Sequence, residues 1–197
     1  MKIGVLAIQG AISEHYSMIK KTFSELGING EIILVKNKND IKEIDGLIIP
    51  GGESTTISRL MFKTGIHEKV LERVENKDLS IMGTCAGSVL LAKKIKNQQN
   101  VKTLQLMDME IERNAFGRQR ESFEIDVDIN GFDTPFHAVF IRAPIIRKTW
   151  GDCKPLSKIN RDTIVAAHQD NLVALAFHPE LTNDTRMHKY FLKIIKK

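Results

Sequence analysis

The sequence predicts an α/β protein built on a mainly parallel sheet, with an antiparallel section added to it. Two observations carry this prediction. Short apolar runs alternate along the first half of the chain with segments of helical periodicity, which is typical of strands joined by crossover helices. A later segment instead alternates apolar and acidic residues with a period of two, which is typical of an antiparallel strand with one wet face.

The first half of the chain supplies the parallel strands. Residues 3–8 form a continuous apolar run, as expected of a strand buried on both faces of a sheet. Residues 31–35, 47–49 and 80–82 are predicted to be the next three strands. Helices are predicted between the first two strands, between the strands at 47–49 and 80–82, and over residues 86–94, the first helix ending at Gly27. The apolar residues at helical spacing are Ile12, Tyr16, Ile19, Phe23 and Leu26, followed by Ile66, Val70, Leu71 and Val74.

The second half supplies the antiparallel section and a closing helix. Phe123, Ile125, Val127 and Ile129 alternate with acidic residues, and further strands are expected at 137–141, 163–167 and 172–177. The chain then carries an amphipathic helix whose N-cap is expected near Thr182 or Asn183. Its apolar face is Met187, Tyr190, Phe191, Ile194 and Ile195.

Composition is that of an ordinary globular protein of a reducing compartment. Of 197 residues, 42% are hydrophobic and 27% are charged, so one domain over residues 1–197 can bury its core without disulfides. Two cysteines exclude a disulfide-rich scaffold. No apolar run reaches the ~20 residues that cross a bilayer, and the first one is too short for a signal peptide. A cytoplasmic location without membrane contact is therefore expected.

The net charge of +5 does not indicate a nucleic-acid partner. Basic residues are scattered, apart from Lys193, Lys196 and Lys197 near the end of the chain. Aromatic residues are 6% of the chain and are not interleaved with basic ones, as a stacking platform for bases requires. A solvated basic surface is the favoured interpretation.

The sharpest chemical motif is Gly83-Thr84-Cys85-Ala86-Gly87, between a short apolar strand and a helix. G-x-C-x-G at that place is the cysteine form of a nucleophile elbow. The glycines let the chain turn sharply and keep Cβ atoms off a substrate. The helix N-terminus favours a thiolate and offers N–H groups to an oxyanion. Alone, the motif fits an inert buried cysteine beside a glycine turn about equally well.

A histidine and a carboxylate near the other end of the chain complement this cysteine. His178 and Glu180 follow the strand predicted at 172–177, so in an extended segment both side chains point the same way. His178 would take the thiol proton, and Glu180 would orient the imidazole and stabilise its cation. A zinc deaminase also uses His-x-Glu, but its downstream P-C-x-x-C is absent from the sequence. No other Cys/His spacing resembles a metal site.

A third motif is Pro50-Gly51-Gly52-Glu53-Ser54-Thr55, which follows the strand at 47–49. Two glycines at the carboxyl end of a parallel strand leave bare N–H groups facing the ligand crevice of the sheet. Ser54 or Thr55 is expected to cap a following helix. The segment is neither a P-loop nor a dinucleotide fingerprint, because neither glycine pattern occurs.

Together these motifs resemble the class I, or triad, glutamine amidotransferases, and within them the family of glutaminase subunits of pyridoxal 5′-phosphate synthase. The matching blocks span nearly the whole chain in the expected order. They are IQGAISEH (8–15), LIIPGGEST (47–55), GTCAG (83–87), ERNAFGRQRESFE (112–124), FIRAP (140–144) and FHPELT (177–182). The fourth and fifth blocks separate this family from other triad glutaminases.

The resemblance implies a role for each matching residue. Cys85 attacks the glutamine side-chain amide, His178 acts as base and then as acid, and Glu180 orients His178. The backbone N–H groups of Gly52 and Ala86 form the oxyanion hole. The glutamine site is implied to comprise Gly52, Glu53, Ser54, Arg113, Ile141 and Arg142. A guanidinium fork suits a carboxylate, although the two arginines alone would be interpreted as surface charges.

The resemblance also implies a flavodoxin-like three-layer sandwich, hydrolysis of L-glutamine to L-glutamate and ammonia, and no cofactor or metal in this chain. Ammonia would pass to a (β/α)-barrel synthase subunit that makes pyridoxal 5′-phosphate. Three alternatives stay open: a glutaminase of another synthase, such as that of imidazole glycerol phosphate; a stress-protein-type cysteine hydrolase; and a catalytically silent scaffold subunit. Residues 112–124 and 140–144 argue against the first, the His-Pro-Glu ending against the second, and the intact Cys85, His178 and Glu180 against the third.

Overall fold

A large mixed sheet organises the chain, with helices on both of its faces. The computed structural model describes residues 1–96, 100–116 and 122–195, so that Lys196, Lys197 and part of the 112–124 block lie outside the described residues. The strands are β1 (Lys2–Leu6), β2 (Glu31–Val35), β3 (Gly46–Ile49), β4 (Ser80–Thr84), β5 (Ala92–Ile95), β6 (Met107–Glu112), β7 (Ser122–Val127), β8 (Phe136–Ile141), β9 (Ile145–Thr149), β10 (Lys154–Asn160), β11 (Thr163–Gln169) and β12 (Leu172–Leu175). The helices are α1 (Ile12–Leu26), α2 (Ser54–Lys63), α3 (Ile66–Glu75), α4 (Ala86–Leu91) and α5 (Arg186–Ile194), with a 3-10 turn at Pro179–Leu181.

The sheet has a parallel half and a mostly antiparallel half. The parallel half runs in the order β2-β1-β3-β4-β12, which is the 2-1-3-4-5 order of flavodoxin-like folds. It continues through β11, β9, β6 and β5, and of these further pairs only β5 with β6 is parallel. The predicted α/β class with a mainly parallel sheet and an antiparallel section is confirmed.

Strand alternation divides the core between the two faces of the sheet. In β3, Leu47 and Ile49 point to the face covered by α2, α3 and α4, while Ile48 points to the face covered by α1 and α5. The small β7–β8 sheet packs on this second face through Val127, Phe136, Ala138 and Phe140. The result is the three-layer sandwich that the resemblance implied.

Several predicted element bounds are wrong, each for a local reason. The helix expected over 86–94 ends at Leu91, and the chain continues directly as β5, which pairs with β6. The helix at 54 is capped by neither Ser54 nor Thr55 but by the Glu53 carboxylate, which accepts the N–H groups of Thr55 and Thr56. The closing helix begins later than expected, with Thr185 at the N-cap.

The antiparallel section also differs in detail from the prediction. Among the described residues, the 122–127 strand pairs only with β8, in a two-stranded sheet of its own, and Ile125 is 38% exposed although Val127, on the same face, is buried. Strands β6, β9 and β10 were not predicted. Pro155 lies inside β10, which pairs with β11 alone through an irregular register, as a proline-containing strand requires.

The carboxyl ends of the parallel strands converge on one edge. Ile49 of β3 is in register with Gly83 of β4, and Thr84 with Leu175 of β12. The loops that follow β1, β3, β4 and β12 therefore meet above the sheet, where open α/β sheets bind ligands. Within the described ranges, no helix combines the length and the apolar character needed to cross a membrane.

Candidate active site

Cys85 occupies a strained turn between β4 and α4. Its backbone has φ 47° and ψ −106°, a conformation that a non-glycine residue adopts only when the surrounding structure enforces it. Its N–H is tied to the carbonyl oxygen of Leu175 at 2.8 Å, which holds the elbow against β12. The thiol Sγ lies 3.8 Å from the Ile141 carbonyl oxygen, at the head of the crevice.

Gly83 and Gly87 allow close packing of the helix on the sheet. The expectation that they keep Cβ atoms off a substrate is wrong. A Cβ on Gly87 would lie 2.0 Å from the Ile49 carbonyl oxygen, and one on Gly83 would lie 2.6 Å from the Gly87 backbone. Neither residue has a positive φ. Both are glycine because α4 approaches β3 and β4 too closely for any side chain.

His178 and Glu180 are joined, but not through the extended segment that the sequence suggested. Pro179–Leu181 form a 3-10 turn, and this turn brings the Glu180 carboxylate back to the imidazole. The Nδ1–H of His178 donates to Oε1 of Glu180 at 2.7 Å. The His178 backbone N–H donates to the Val139 carbonyl at 2.8 Å, which anchors the turn to β8.

The electrostatics of the pair favour a charged imidazole. Burial alone would lower the pKa of His178, but hydrogen bonds with Cys85 and Glu180 outweigh it and raise that pKa to about 10. Burial alone would raise the pKa of Glu180, and the neighbouring His15 and His178 lower it below its usual value. At neutral pH the carboxylate is ionised and the imidazole holds a proton, as an imidazolium next to a cysteine sulfur.

The Gly51-Gly52 loop lies against the triad and is held by the loop that follows β1. A Cβ on Gly51 would lie 2.4 Å from His178 Cε1, and one on Gly52 would lie 2.4 Å from Gln9 Oε1. The carbonyl of Gly51 accepts the N–H of Ala11 at 3.0 Å. Among the described residues, no hydrogen bond engages the N–H of Gly52, which leaves it available to a ligand.

A cavity of about 370 Å³ opens beside Cys85. Every site residue expected from the sequence lines it, except Glu180, which lies behind His178. The lining comprises Gly52, Glu53, Ser54, Cys85, Ala86, Arg113, Ile141, Arg142 and His178, together with Val89, Asn114 and Pro144, which the sequence argument did not name. Asn114 and Arg142, like Cys85, have positive φ angles. Clustering of such conformations around one cavity is typical of a functional site.

One wall of the cavity is built around Glu53. Its side chain caps α2, and a guanidinium nitrogen of Arg113 lies 3.3 Å from Oε1. Burial raises the pKa of Glu53, but hydrogen bonds with the side chains and backbone N–H groups of Thr56 and Thr55 outweigh it and bring the pKa to about 2. The carboxylate therefore stays ionised, and it fixes both the start of α2 and the position of Arg113.

Four polar residues to which sequence reasoning gave no role surround the triad. Gln9 accepts the Glu53 N–H at 2.9 Å, and Thr84 Oγ1 accepts the Gly51 N–H at 3.1 Å. His15 and His188 are fully buried behind Glu180. Gln9 and His15 lie within the 8–15 block, so the block itself was the available signal; nothing marked His188. No group of metal-ligating side chains within the described ranges could hold an ion.

The profile of the SNO glutamine amidotransferase family matches residues 5–197. Pyridoxal 5′-phosphate synthase subunit PdxT of Staphylothermus marinus is 52% identical and that of Niallia circulans 49%, each over the whole of this chain and 99% or more of its own length. A solved structure of a glutamine amidotransferase has a TM-score of 0.88 at 42% identity, covering 98% of both chains. A glutamine amidotransferase from Thermotoga maritima shares the fold, with a TM-score of 0.63 at 14% identity over 98% of this chain and 83% of its own.

The fold and the thiol–imidazole–carboxylate site define the class of triad amidotransferases. The chain belongs to the SNO glutamine amidotransferase family.

Proposed function

We propose that this chain hydrolyses L-glutamine to L-glutamate and ammonia and supplies the ammonia to a pyridoxal 5′-phosphate synthase. The observation that carries the chemistry is the linked set of thiol, imidazole and buried carboxylate beside a cavity of about 370 Å³. The names of the full-length relatives support the choice of synthase. Ammonia release from glutamine, measured with and without the cognate synthase, tests both parts.

The reaction proceeds in two halves. The Cys85 thiolate adds to the amide carbon, and the N–H groups of Gly52 and Ala86 stabilise the oxyanion that forms. The His178 imidazolium protonates the nitrogen, ammonia leaves, and a γ-glutamyl thioester remains on Cys85. Neutral His178 then takes a proton from water, the hydroxide adds to the thioester, and the thiolate leaves as glutamate forms. Glu180 holds the imidazole in place and stabilises its cation throughout.

The protein operates as one glutaminase domain over residues 1–197 within a heteromeric complex in the cytoplasm. Its partner is a (β/α)-barrel synthase, which consumes the ammonia. The glutaminase uses no cofactor of its own, and it works without nucleic acid or membrane.

Arg142 and Arg113 are expected to bind the charged end of glutamine. Arg142→Met should raise KM for glutamine roughly 10- to 100-fold, the loss of one hydrogen bond to a charged group, while kcat changes less. Initial rates over a glutamine series measure this. Arg147→Met is the matched control, because Arg147 lies on β9, pairs with Glu112 of β6, and is outside the cavity lining. Equal KM values for Arg142→Met and Arg147→Met would remove Arg142 from the glutamine site.

The synthase is expected to raise kcat of this chain at least several-fold. The Gly51 carbonyl points towards Ala11. In a trans peptide the C=O and N–H groups point in opposite directions, so the Gly52 N–H points away from Ala11. Rotation of this glycine peptide has little steric cost but breaks the hydrogen bond from Ala11, so docking near these loops can select the orientation that serves the oxyanion. One oxyanion donor is worth about 3–4 kcal/mol in the transition state.

Titration of synthase into the glutaminase at saturating glutamine measures that activation. Binding is followed separately by sedimentation, so that a failure to dock is recognised. A flat rate across a titration that reaches full binding would show that the oxyanion hole is already formed in the free glutaminase.

A further inference from the structure

Two fully buried histidines extend the triad into the core. His15 lies in the first turn of α1 and His188 in the first turn of α5. His15 Nδ1 lies 3.3 Å from His188 Nε2. On its other side, His15 Nε2 lies 3.0 Å from Thr84 Oγ1 and 3.3 Å from Glu180 Oε2. The reaction described above uses neither histidine, yet burying two imidazoles is costly unless their polar atoms are engaged.

The contacts determine where the protons sit. Burial lowers the pKa of both histidines, so each ring is neutral and carries one N–H. His188 Nδ1 has no partner among the described residues, so the proton of that ring belongs on Nε2, where it is donated to His15 Nδ1. The proton of His15 is then on Nε2, facing Thr84 and Glu180. The opposite tautomer would set a lone pair against the carboxylate oxygen.

His15 therefore contacts two parts of the site, the Glu180 carboxylate and the Thr84 hydroxyl that holds the Gly51 loop. Glu180 Oε1 is engaged by His178, while Oε2 makes no hydrogen bond with a described residue and has the His15 N–H edge against it. Thr84 Oγ1 accepts the Gly51 N–H as well as the proton of His15. The carboxylate of the triad and the loop of the oxyanion hole are therefore fixed to the same imidazole.

We propose that His15 is a positioning residue for glutamine hydrolysis, with His188 setting the direction of its proton. Its Nε2–H edge, bonded to Thr84 and in electrostatic contact with Glu180, keeps the Glu180 carboxylate and the Thr84–Gly51 contact in one fixed relation. A shift of His15 would displace the imidazole of His178 and the oxyanion loop together. The proposal rests on the triad assignment of Cys85, His178 and Glu180.

Two substitutions at position 15 separate this role from simple packing. His15→Gln places a donor where Nε2 is, whereas His15→Asn reaches only the position of Nδ1 and His188. In the complex with synthase, His15→Asn should lower kcat on the order of tenfold to 100-fold, the cost of a small misplacement of reacting groups, with KM little changed. His15→Gln should restore most of kcat. Thr22→Val is the matched control, since Thr22 is buried on the same helix and, among the described residues, its hydroxyl bonds only to the Met18 carbonyl oxygen.

A second readout follows the thiol directly. Alkylation of Cys85 by iodoacetamide at pH 6 should slow several-fold in His15→Asn and stay near wild type in His15→Gln, because a displaced imidazolium stabilises the thiolate less. His188→Leu, which leaves position 15 intact, should lower kcat by a smaller factor. Equal kcat and equal alkylation in His15→Asn and His15→Gln would overturn the proposal, as would an unchanged kcat in His188→Leu. Failure of the triad itself would appear instead as ammonia release by Cys85→Ala.

Discussion

The Cys85→Ala protein is expected to release ammonia from glutamine roughly 10⁴-fold more slowly than wild type, or slower still. Members of a triad act as a unit, so removing the nucleophile removes nearly all that the triad contributes. The fold should survive, because alanine keeps the Cβ and the N–H of residue 85 still bonds to Leu175. The measurement is single-turnover and steady-state ammonia release in the presence of synthase, with circular dichroism as the check on folding.

Cys153 supplies the control for this experiment. It is buried, and burial together with Asp108 raises its pKa to about 12, so it is a thiol and unreactive at neutral pH. Cys153→Ala should keep near-normal activity, and an electrophilic glutamine analogue should add its mass to Cys85 alone. Substantial ammonia release by Cys85→Ala, or labelling of Cys153 in its place, would contradict the assignment.

The sequence could reveal the elements that carry their own local signal. The first helix is an example: its bounds and its stop at Gly27 were predicted, and Gly27 does adopt the left-handed conformation that ends a helix. The face that this helix buries was predicted only in part: Ile19 and Phe23 are buried as expected. Tyr16 and Leu26 are 38% and 42% exposed, whereas the polar residues His15 and Thr22 are buried. Tertiary partners, α5 and the triad, decide which face turns inward, and periodicity cannot show them.

The candidate site likewise combines residues that the sequence revealed with contacts that it could not reveal. The three motifs each identified one residue of the candidate site: Cys85, Gly52 or His178. The carboxyl ends of the strands bring these residues to one cavity. The link from His178 to Glu180 depends on a 3-10 turn, and the pairing of His15 with His188 joins residues 173 positions apart. No spacing rule reaches across such a distance. Contacts behind a site are therefore found only when the packing is seen.

The His178→Asn protein is expected to lose glutamine turnover to a similar extent, roughly 10⁴-fold or more. Asparagine cannot hold the proton that the thiol loses, and it cannot deliver one to the departing nitrogen. Two steps therefore fail, the formation of the thiolate and the release of ammonia. Steady-state ammonia release measures the total effect, and alkylation of Cys85 at neutral pH isolates the first step, since it needs the thiolate but no leaving group.

Glu180→Gln is a milder substitution to compare with His178→Asn, because glutamine removes the negative charge of Glu180 but keeps the shape of its side chain. The loss in turnover should be smaller than in His178→Asn, since Glu180 stabilises the imidazolium without transferring the proton. The hydrogen bond to Glu180 is one of the interactions that raise the pKa of His178 from 6.5 to about 10. Its loss lowers that pKa, so the decline of activity with rising pH should begin at lower pH than in wild type.

The free energy of unfolding should also depend on pH through the raised pKa of His178. A raised pKa in the folded state stabilises the protein fully below pH 6.5, and this contribution disappears as pH rises towards about 10. Denaturant unfolding of wild type and Glu180→Gln across that range should therefore show two curves that converge as the pH increases. If Glu180→Gln left both the rate and its pH profile unchanged, Glu180 would be a bystander, and the imidazolium would owe its charge to Cys85 alone.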